Sequence, residues 1–384
     1  MRHFISGLGL AAFLSALGIS GAMAEIKIGL TISATGPAAA LGVPEMKTIP
    51  LLPTEIGGEK ITWIPLDDAA DPTKSAANAR KLIAEDNVDA LIGSTITTCS
   101  VPLIDIVGEA KLPLISIQPG TMMVLPMDDK RHWIFKVPPN TDIMAGAVLK
   151  HMQATGIKTI ATIVFSDAYG QTWSNAAKQL MEPAGVKLVD TEEFARTDTS
   201  VTGQVLKILA AKPDAVIVGA SGSPGVMPVK TLRERGYKGA IYGADGLAGP
   251  DYIRVGGKDV EGSFIASNPF TVAKQLADDN PLKATALAYQ STYTAAYQTP
   301  APYFSAILRD AGSLLEIAVP IALKKAKPGT PEFRAALRDA LESGVKDKAL
   351  LSGVFSFTPQ DHSGIDQRAA AISTVKDGQF VLVQ

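Results

Sequence analysis

Two short polar segments carry residue types that can bind an anion, and each follows a predicted buried strand. The first, Gly93–Thr98, precedes an apparent helix that begins near Val101 and offers hydroxyl groups together with free backbone amides. Such a segment can hold a carboxylate, because N–H groups and the helix dipole both favour negative charge there. Threonine also caps helices without binding a ligand, so the local pattern leaves both interpretations open.

The second polar segment, Gln118–Thr121, follows the predicted strand Leu114–Ile117. In a parallel sheet the carboxyl ends of neighbouring strands lie at one edge, which is where α/β proteins bind ligands. We expect the two segments to lie side by side, and their proximity favours a binding site over two unrelated helix caps.

Patterns typical of a catalytic centre are missing from the sequence. No serine has glycines two residues before and after it, as a nucleophile elbow requires. The adjacent carboxylates Asp67 and Asp68 lie on a predicted strand, where neighbouring side chains point to opposite faces and do not converge on one atom. The glycine-rich segment Gly219–Gly225 lacks both the Walker lysine and the dinucleotide spacing, so it predicts a tight or ligand-facing loop.

Metal-ligand spacing is also missing. His132, His151 and His362 are scattered, and Cys99 has no cysteine or histidine close in sequence. We therefore predict a protein that is not an enzyme and that holds neither a metal nor another cofactor.

The elements that must position the two polar segments alternate along the chain. Short apolar runs predict strands, and amphipathic stretches between them predict helices. The predicted strands are Ile26–Ile32, Ile61–Leu66, Val88–Ile92, Leu114–Ile117, Thr159–Phe165, Lys187–Thr191 and Ala215–Gly219. The predicted helices are Thr73–Asp86, Gly170–Ala184, Val201–Ala211 and a long one from about Tyr303 to Lys325, which Pro320 should kink or end. This alternation is typical of α/β proteins with parallel sheets.

Length and composition limit the class further. Residues 1–24 combine a basic start, an apolar run and the small residues Ala22 and Ala24, as in a secretory signal peptide. The roughly 360 residues that follow exceed what one core usually serves, so two domains are expected. Val137–Asn140 and Ser267–Phe270 are candidate linkers.

Composition excludes further classes of protein. The single cysteine excludes an internal disulfide. A net charge of −2 does not indicate binding to nucleic acid or to an anionic membrane.

Several further segments occur in an order that is more informative than any one of them. They are Ile26–Leu30 with Thr35–Pro37, Asp67–Pro72, Leu112–Ser116, Asp167–Gly170, Leu232–Gly236, Gly243–Gly246 and Val260–Gly262. In this order the chain resembles the Leu/Ile/Val-binding family of type I periplasmic binding proteins over essentially its whole mature length.

The resemblance implies an α/β architecture of two Rossmann-like lobes with parallel-sheet cores, joined by three hinge crossovers. Lobe I would contain residues 25–138 and 269–352, and lobe II residues 139–268 and 353–384. The resemblance also implies a periplasmic, monomeric protein that captures a small carboxylate and delivers it to the membrane permease of an ABC importer.

Site residues follow from the same resemblance. In family members that bind amino acids, a hydroxyl group and backbone amides of lobe I hold the ligand carboxylate, and lobe II supplies a tyrosine and an acidic partner for the ammonium. The matching positions in this sequence are Thr97, Thr98, Gln118, Gly120 and Thr121 in lobe I, and Tyr169 and Asp245 in lobe II.

The chain also departs from the family pattern. Ala70 and Ile96 occupy the positions of a common disulfide, while Leu41 and Ser221 occupy positions where family members have larger aromatic groups that face the ligand. In addition, Pro44, Pro50 and Pro53 should break the first helix, which lies beside the ligand.

Three functions stay open at this point. Asp245 favours a branched-chain or other apolar amino acid, although Asp-Gly is also common in turns. The smaller residues at positions 41 and 221 favour a larger ligand such as a benzoate-like or cinnamate-like acid. Asp245 would then accept a hydrogen bond from a hydroxyl group on the ring of that ligand. The same fold could also serve as an extracellular ligand-sensing module.

Overall fold

The computed structural model describes residues 25–383, and the predicted signal peptide 1–24 lies outside this range. The chain forms two separate, mainly parallel sheets flanked by helices, each with its own hydrophobic core. This confirms the predicted α/β architecture with two sheet-based units. Within the described range, no helix is both long enough and apolar enough to cross a bilayer.

The first sheet has six strands in the order β2-β3-β1-β4-β5-β6. Its strands are β1 (Ile26–Ile32), β2 (Glu55–Ile56), β3 (Glu59–Asp67), β4 (Ala90–Gly93), β5 (Leu114–Ser116) and β6 (Ile134–Lys136). All neighbours pair in parallel except β2 and β3, which form a short hairpin. The carboxyl ends of β1, β4 and β5 therefore lie at one edge, as the sequence predicts for the two polar segments.

The second sheet has seven strands in the order β15-β14-β11-β10-β9-β7-β8. Its strands are β7 (Thr159–Phe165), β8 (Lys187–Phe194), β9 (Ala215–Gly219), β10 (Ala240–Gly243), β11 (Phe264–Ser267), β14 (Ala371–Lys376) and β15 (Gln379–Leu382). β14 and β15 add an antiparallel edge. The short strands β12 (Lys348–Ala349) and β13 (Val354–Phe355) pair only with each other.

Helices cover both sheets. They are α1 (Ala39–Thr48), α2 (Pro72–Ala84), α3 (Thr97–Ser100), α4 (Leu103–Ala110), α5 (Thr141–Ala154), α6 (Ala168–Ala176), α7 (Thr202–Ala211), α8 (Val226–Glu234), α9 (Pro250–Gly256), α10 (Lys283–Tyr297), α11 (Tyr303–Ala322) and α12 (Pro331–Gly344). α11 packs its apolar face into the first core, and it ends within one turn after Pro320.

The expectation that Pro44 breaks the first helix is wrong, because α1 continues through it to Thr48. Pro44 lacks the N–H that would bond the carbonyl of Ala40. Ala40 is only half-buried, so water can satisfy that carbonyl, and the helix loses little. Pro50 instead lies in a single 3₁₀ turn, Ile49–Leu51, that follows the helix.

The chain passes between the two sheets three times, and buried polar side chains hold two of these crossings together. The Asn268 amide, just after β11, donates to the carbonyls of Ser352 (2.6 Å) and Ala369 (2.9 Å). Asp310 of α11 accepts from the backbone N–H groups of Leu351 (2.9 Å) and Ser352 (2.6 Å). Segments that are distant in sequence are thus fixed to each other where the lobes meet.

The bounds of the two lobes stay a prediction, and packing favours one change to them. The sequence assigns residues 353–384 to lobe II. However, Phe355, Phe357 and Ile365 pack in the core of the first sheet, and the chain joins the second sheet only at Ala371. A third crossing near residue 370 agrees better with this packing than one near residue 352.

Replacing Asp310 by alanine should lower the free energy of unfolding by about 2–4 kcal/mol, because two buried N–H groups lose their acceptor. Urea unfolding followed by circular dichroism measures this loss. Asp366→Ala is the matched control, since the exposed Asp366 accepts from the backbone of Arg368 in water. Equal stability of the Asp310 variant and the wild type would contradict the role of Asp310.

Candidate ligand-binding site

A cavity lies between the two sheets, and its empty space, including the part open to solvent, is about 370 Å³. Residues from both lobes line it. Those on the side of the first sheet are Leu41, Thr95, Ile96, Thr97, Ile117, Pro119, Tyr303, Phe304 and Ile307. Those on the side of the second sheet are Tyr169, Arg196, Ser221, Asp245 and Gly246, and Pro138 lies at the first crossing. Most of these side chains are apolar, and the polar groups are concentrated on the second-sheet side. Cavities of this kind bind small molecules through an apolar body and a few placed polar contacts.

Five residues predicted from the sequence line this cavity, namely Leu41, Thr97, Tyr169, Ser221 and Asp245. The other four predicted residues, Thr98, Gln118, Gly120 and Thr121, are not among the lining residues. Gln118 and Gly120 instead contact Thr97.

Thr97 is the first residue of α3, so the helix begins earlier than the predicted start near Val101. Its hydroxyl donates to the side-chain oxygen of Gln118 (2.7 Å). The same oxygen accepts the backbone N–H of Gly120 (2.5 Å), and the Gln118 amide donates to Ser116 (3.2 Å). Gln118 therefore joins the two polar segments, and its side-chain amide is used in bonds to Thr97, Gly120 and Ser116.

Gly120 is required by close packing. A Cβ at this position would lie 2.8 Å from both the Gln118 Oε1 and the Thr97 Cγ2 atoms, which is closer than carbon and oxygen atoms approach. The two segments do lie side by side, as the strand pattern predicts, but Gly120 packs against Thr97 and is not a lining residue of the cavity.

Tyr169 and Asp245 form a buried pair on the opposite wall. The Tyr169 hydroxyl donates to Asp245 Oδ1 (2.7 Å) and accepts the backbone N–H of Gly246 (3.1 Å). Asp245 is only 6 % exposed, and burial raises the pKa of its carboxyl group. Burial and the nearby Asp245 charge raise the pKa of the Tyr169 hydroxyl well above its ordinary value, so Tyr169 stays protonated.

Arg196 is a charged residue of the cavity that the sequence did not predict. The side chain is 10 % exposed, and its Nε donates to Asp167 (2.6 Å) while its Nη1 donates to Ser221 (2.9 Å). The guanidinium carbon also lies 4.0 Å from the centre of the Phe165 ring. Within residues 25–383 no acceptor bonds its remaining nitrogen, Nη2.

The position of Arg196 explains why it was missed. The predicted strand ended at Thr191, whereas β8 continues to Phe194 and brings Arg196 to the carboxyl end of the sheet. Asp167 caps α6 by accepting the N–H groups of Tyr169 (3.0 Å) and Gly170 (3.1 Å). One carboxylate thus orients Arg196 and begins the helix that carries Tyr169.

A buried lysine lies behind the cavity, and it too was missed. Lys136, the last residue of β6, is fully buried, and its ammonium donates to the carbonyls of Pro138 and Pro119 (3.5 Å for Pro119). Both prolines line the cavity. Desolvation lowers the pKa of Lys136 to about 7, and the charge of Asp245 opposes that shift.

An apolar cluster occupies the place of the family's disulfide. Ile96 and Cys99 pack with Leu41, and the partly buried Ala70 and Phe304 lie against them. Burial raises the pKa of the Cys99 thiol, which keeps it protonated and unreactive. The wall on this side depends on packing instead of a covalent bond.

One group of possible metal ligands lies away from the cavity. His132, Glu342 and His362, which are far apart in sequence, place ligand atoms within 4.8 Å of one another. The guanidinium of Arg338 contacts both His132 and Glu342. A cation already belongs to this cluster, so its residues fit an internal ion-pair network better than a metal site.

The cavity adjoins a larger cleft of about 1200 Å³, with which it shares Leu41, Gly246 and Phe304. The cleft is lined mainly by apolar residues of α1, α9 and the segment before α11.

Comparison with known proteins places this geometry in a family. A family model described as "Periplasmic binding protein" matches residues 25–379. A Leu/Ile/Val-binding protein homolog of Brucella melitensis is 25% identical, and the alignment covers 96% of this chain and 97% of that protein.

Solved structures agree. An extracellular ligand-binding receptor from Rhodopseudomonas palustris HaA2 has a TM-score of 0.91 at 50% identity, covering 94% of this chain and 100% of the other. A solute-binding protein of an ABC transporter from R. palustris, solved in complex with benzoate, has a TM-score of 0.78 at 21% identity, covering 94% and 95%, and supports the fold alone. The chain belongs to the periplasmic binding protein family.

Proposed function

We propose that this protein is the periplasmic solute-binding component of an ABC importer and that it captures a small carboxylate with an apolar, preferably aromatic, body. The observation that carries the proposal is the position of Arg196, a buried cation with a free nitrogen at the polar end of an apolar cavity. A monomer that presents the loaded site to a membrane permease is the form expected for this family.

The surroundings of Arg196 suit a carboxylate. Asp167 and Ser221 hold the guanidinium in one orientation, and the ring of Phe165 supports its face. A preorganised guanidinium loses little entropy when it binds an anion, and charge-assisted bonds to carboxylates are stronger than neutral ones. Thr97 lines the same cavity from the opposite lobe, and its hydroxyl proton, which goes to Gln118 in this structure, would have to turn to the ligand to bond a carboxylate. A carboxylate held by both lobes would favour closure.

The cavity walls favour an aromatic or extended apolar body. Ile96, Ile117 and Ile307 contribute aliphatic surface, and Tyr303 and Phe304 contribute rings. Leu41 and Ser221 leave room for such a body, because both are smaller than the aromatic groups of family members. One oxygen of Asp245 is already used by Tyr169, and burial raises the pKa of this carboxyl, which makes it a weaker partner for an ammonium group.

An apolar amino acid is the second candidate. Asp245 lines the cavity and retains an oxygen that does not bond Tyr169, which an ammonium group would need. The two ligand classes therefore differ in what they require of Asp245.

Arg196→Gln should weaken binding of a carboxylate ligand at least about 100-fold, because a buried charge partner is lost. A thermal-shift screen of wild-type protein against benzoate, cinnamate, leucine and phenylalanine finds the ligand, and calorimetry then compares the variant. Arg254→Gln is the matched control, since Arg254 makes an exposed ion pair with Asp251. Unchanged affinity of a folded Arg196 variant would remove Arg196 from the site.

Asp245→Asn should separate the two ligand classes. An amino acid loses its ammonium partner and should bind at least about 10-fold more weakly, whereas an aromatic acid without an amino group should keep its affinity within about threefold, because the amide still accepts from Tyr169. Calorimetry with leucine and with cinnamate measures both effects. Loss of cinnamate binding in a variant with the wild-type melting temperature would contradict the aromatic preference.

Binding should take up protons near neutral pH. The pKa of Lys136 is lowered to about 7, so part of the free protein has a neutral lysine. A bound anion stabilises the ammonium and raises this pKa, so affinity should fall as pH rises from about 7 to about 9. Asp245, Asp142 and Asp361 also act on Lys136, and a rise in the Asp245 pKa would add uptake at lower pH.

Calorimetry at about pH 8 in buffers of different ionisation enthalpy measures this uptake. It should disappear in Lys136→Met and persist in Asp245→Asn. A binding enthalpy that is independent of the buffer in the wild type would show that Lys136 does not respond to the ligand.

A further inference from the structure

Tyr303, the first residue of α11, has a hydroxyl group that nothing in the described protein satisfies. The residue is 3 % exposed and lines the ligand cavity, yet its buried hydroxyl oxygen has no hydrogen-bond partner within residues 25–383. A buried polar group without a partner is costly, and native proteins rarely keep one unless something else supplies the bond. Because Tyr303 lines the cavity, a ligand there can supply the bond.

The groups around Tyr303 define what it can bind. Burial and the charge of Asp245 raise the pKa of the Tyr303 hydroxyl, so it stays protonated and able to donate. Tyr303 belongs to the first lobe, and Asp245 faces the same cavity from the second. Ser352 is a fully buried neighbour of Tyr303, and its hydroxyl is likewise without a partner, so a bond between these two hydroxyls is the internal alternative to a bond from a ligand.

We propose that Tyr303 is a specificity residue that, together with Asp245, binds a hydroxyl group of the ligand. This inference rests on the proposed function, with the ligand carboxylate at Arg196. A hydroxyl group can donate and accept at the same time. It would donate to the Asp245 carboxylate and accept from the Tyr303 hydroxyl, which joins the two lobes through one ligand atom. The preferred class is then a hydroxylated aromatic acid.

The chemistry gives a reason for selectivity. A site built to bond a hydroxyl group rejects the analogue that lacks it, because its own buried polar groups are left unpaired. Thr97 and Arg196 would recognise the carboxylate that both analogues share, so they do not distinguish them. Tyr303 and Asp245 contact the part that differs.

Matched ligand pairs test the proposal. Calorimetry compares benzoate with 4-hydroxybenzoate, cinnamate with 4-hydroxycinnamate, and phenylalanine with tyrosine. The wild type should prefer the hydroxylated member of a pair that it binds. Tyr303→Phe should weaken the hydroxylated member roughly 5- to 20-fold and change the other less than about twofold.

Stability provides a separate readout. The Tyr303 hydroxyl makes no internal bond, so Tyr303→Phe should not lower the melting temperature of the ligand-free protein. A lower melting temperature would show that the hydroxyl has a structural partner and would overturn the proposal. Tyr293→Phe is the control, because Tyr293 is a buried tyrosine that lines the outer cleft but not the cavity.

Two further outcomes are distinguishable. If the wild type binds members of a pair and Tyr303→Phe weakens both equally or neither, Tyr303 does not read the hydroxyl, while the proposed function stands. If the wild type binds none of the six acids, the proposed function fails and this assignment fails with it.

Discussion

The arrangement of polar groups around the cavity is set by the energetic cost of burying charged side chains away from water. Arg196, Asp245 and Lys136 are all largely or fully buried, and an isolated charge in such a place would be strongly destabilising. Each is stabilised differently: Arg196 by the Asp167 carboxylate, Asp245 by the Tyr169 hydroxyl, and Lys136 by backbone carbonyls alone. The free protein therefore retains polar groups that are only partly satisfied, and a ligand that completes them gains affinity from the same desolvation.

The crossings between the lobes hold the two sides of the cavity together, so the affinity for a ligand depends on polar groups from both sides. Asn268, at the second crossing, bonds the backbone of Ala369 at the third, and both Asn268 and Asp310 hold the backbone at Ser352. Lys136 lies at the first crossing. Buried hydrogen bonds hold the crossings in one arrangement, and side chains from the two lobes, such as Thr97 and Arg196, line one cavity. In the proposed function both would act on one ligand, and the lobes would close on it.

Individual side chains also show how a family site is altered. The common disulfide is replaced by packing among Ile96, Cys99 and Leu41, which keeps the wall in place without a covalent bond. Gln118 keeps the two first-lobe segments together, so Thr97 can face the cavity. Ser221, at a position where the resemblance implies a larger aromatic residue, accepts a hydrogen bond from Arg196.

The sequence by itself determined the α/β architecture, since period-two and period-3.6 apolar patterns mark strands such as β1 and helices such as α2 directly. It also determined that the polar ends of β4 and β5 lie together, because parallel neighbours share an edge, and the family resemblance led to Tyr169 and Asp245. Only the tertiary structure decided that Thr97 lines the cavity while Thr98, Gln118 and Thr121 do not, because the face that a loop side chain takes depends on its packing partners. It alone brought Arg196, Lys136 and Tyr303 to the cavity: their positions are set by contacts between segments far apart in the chain, which no local pattern records.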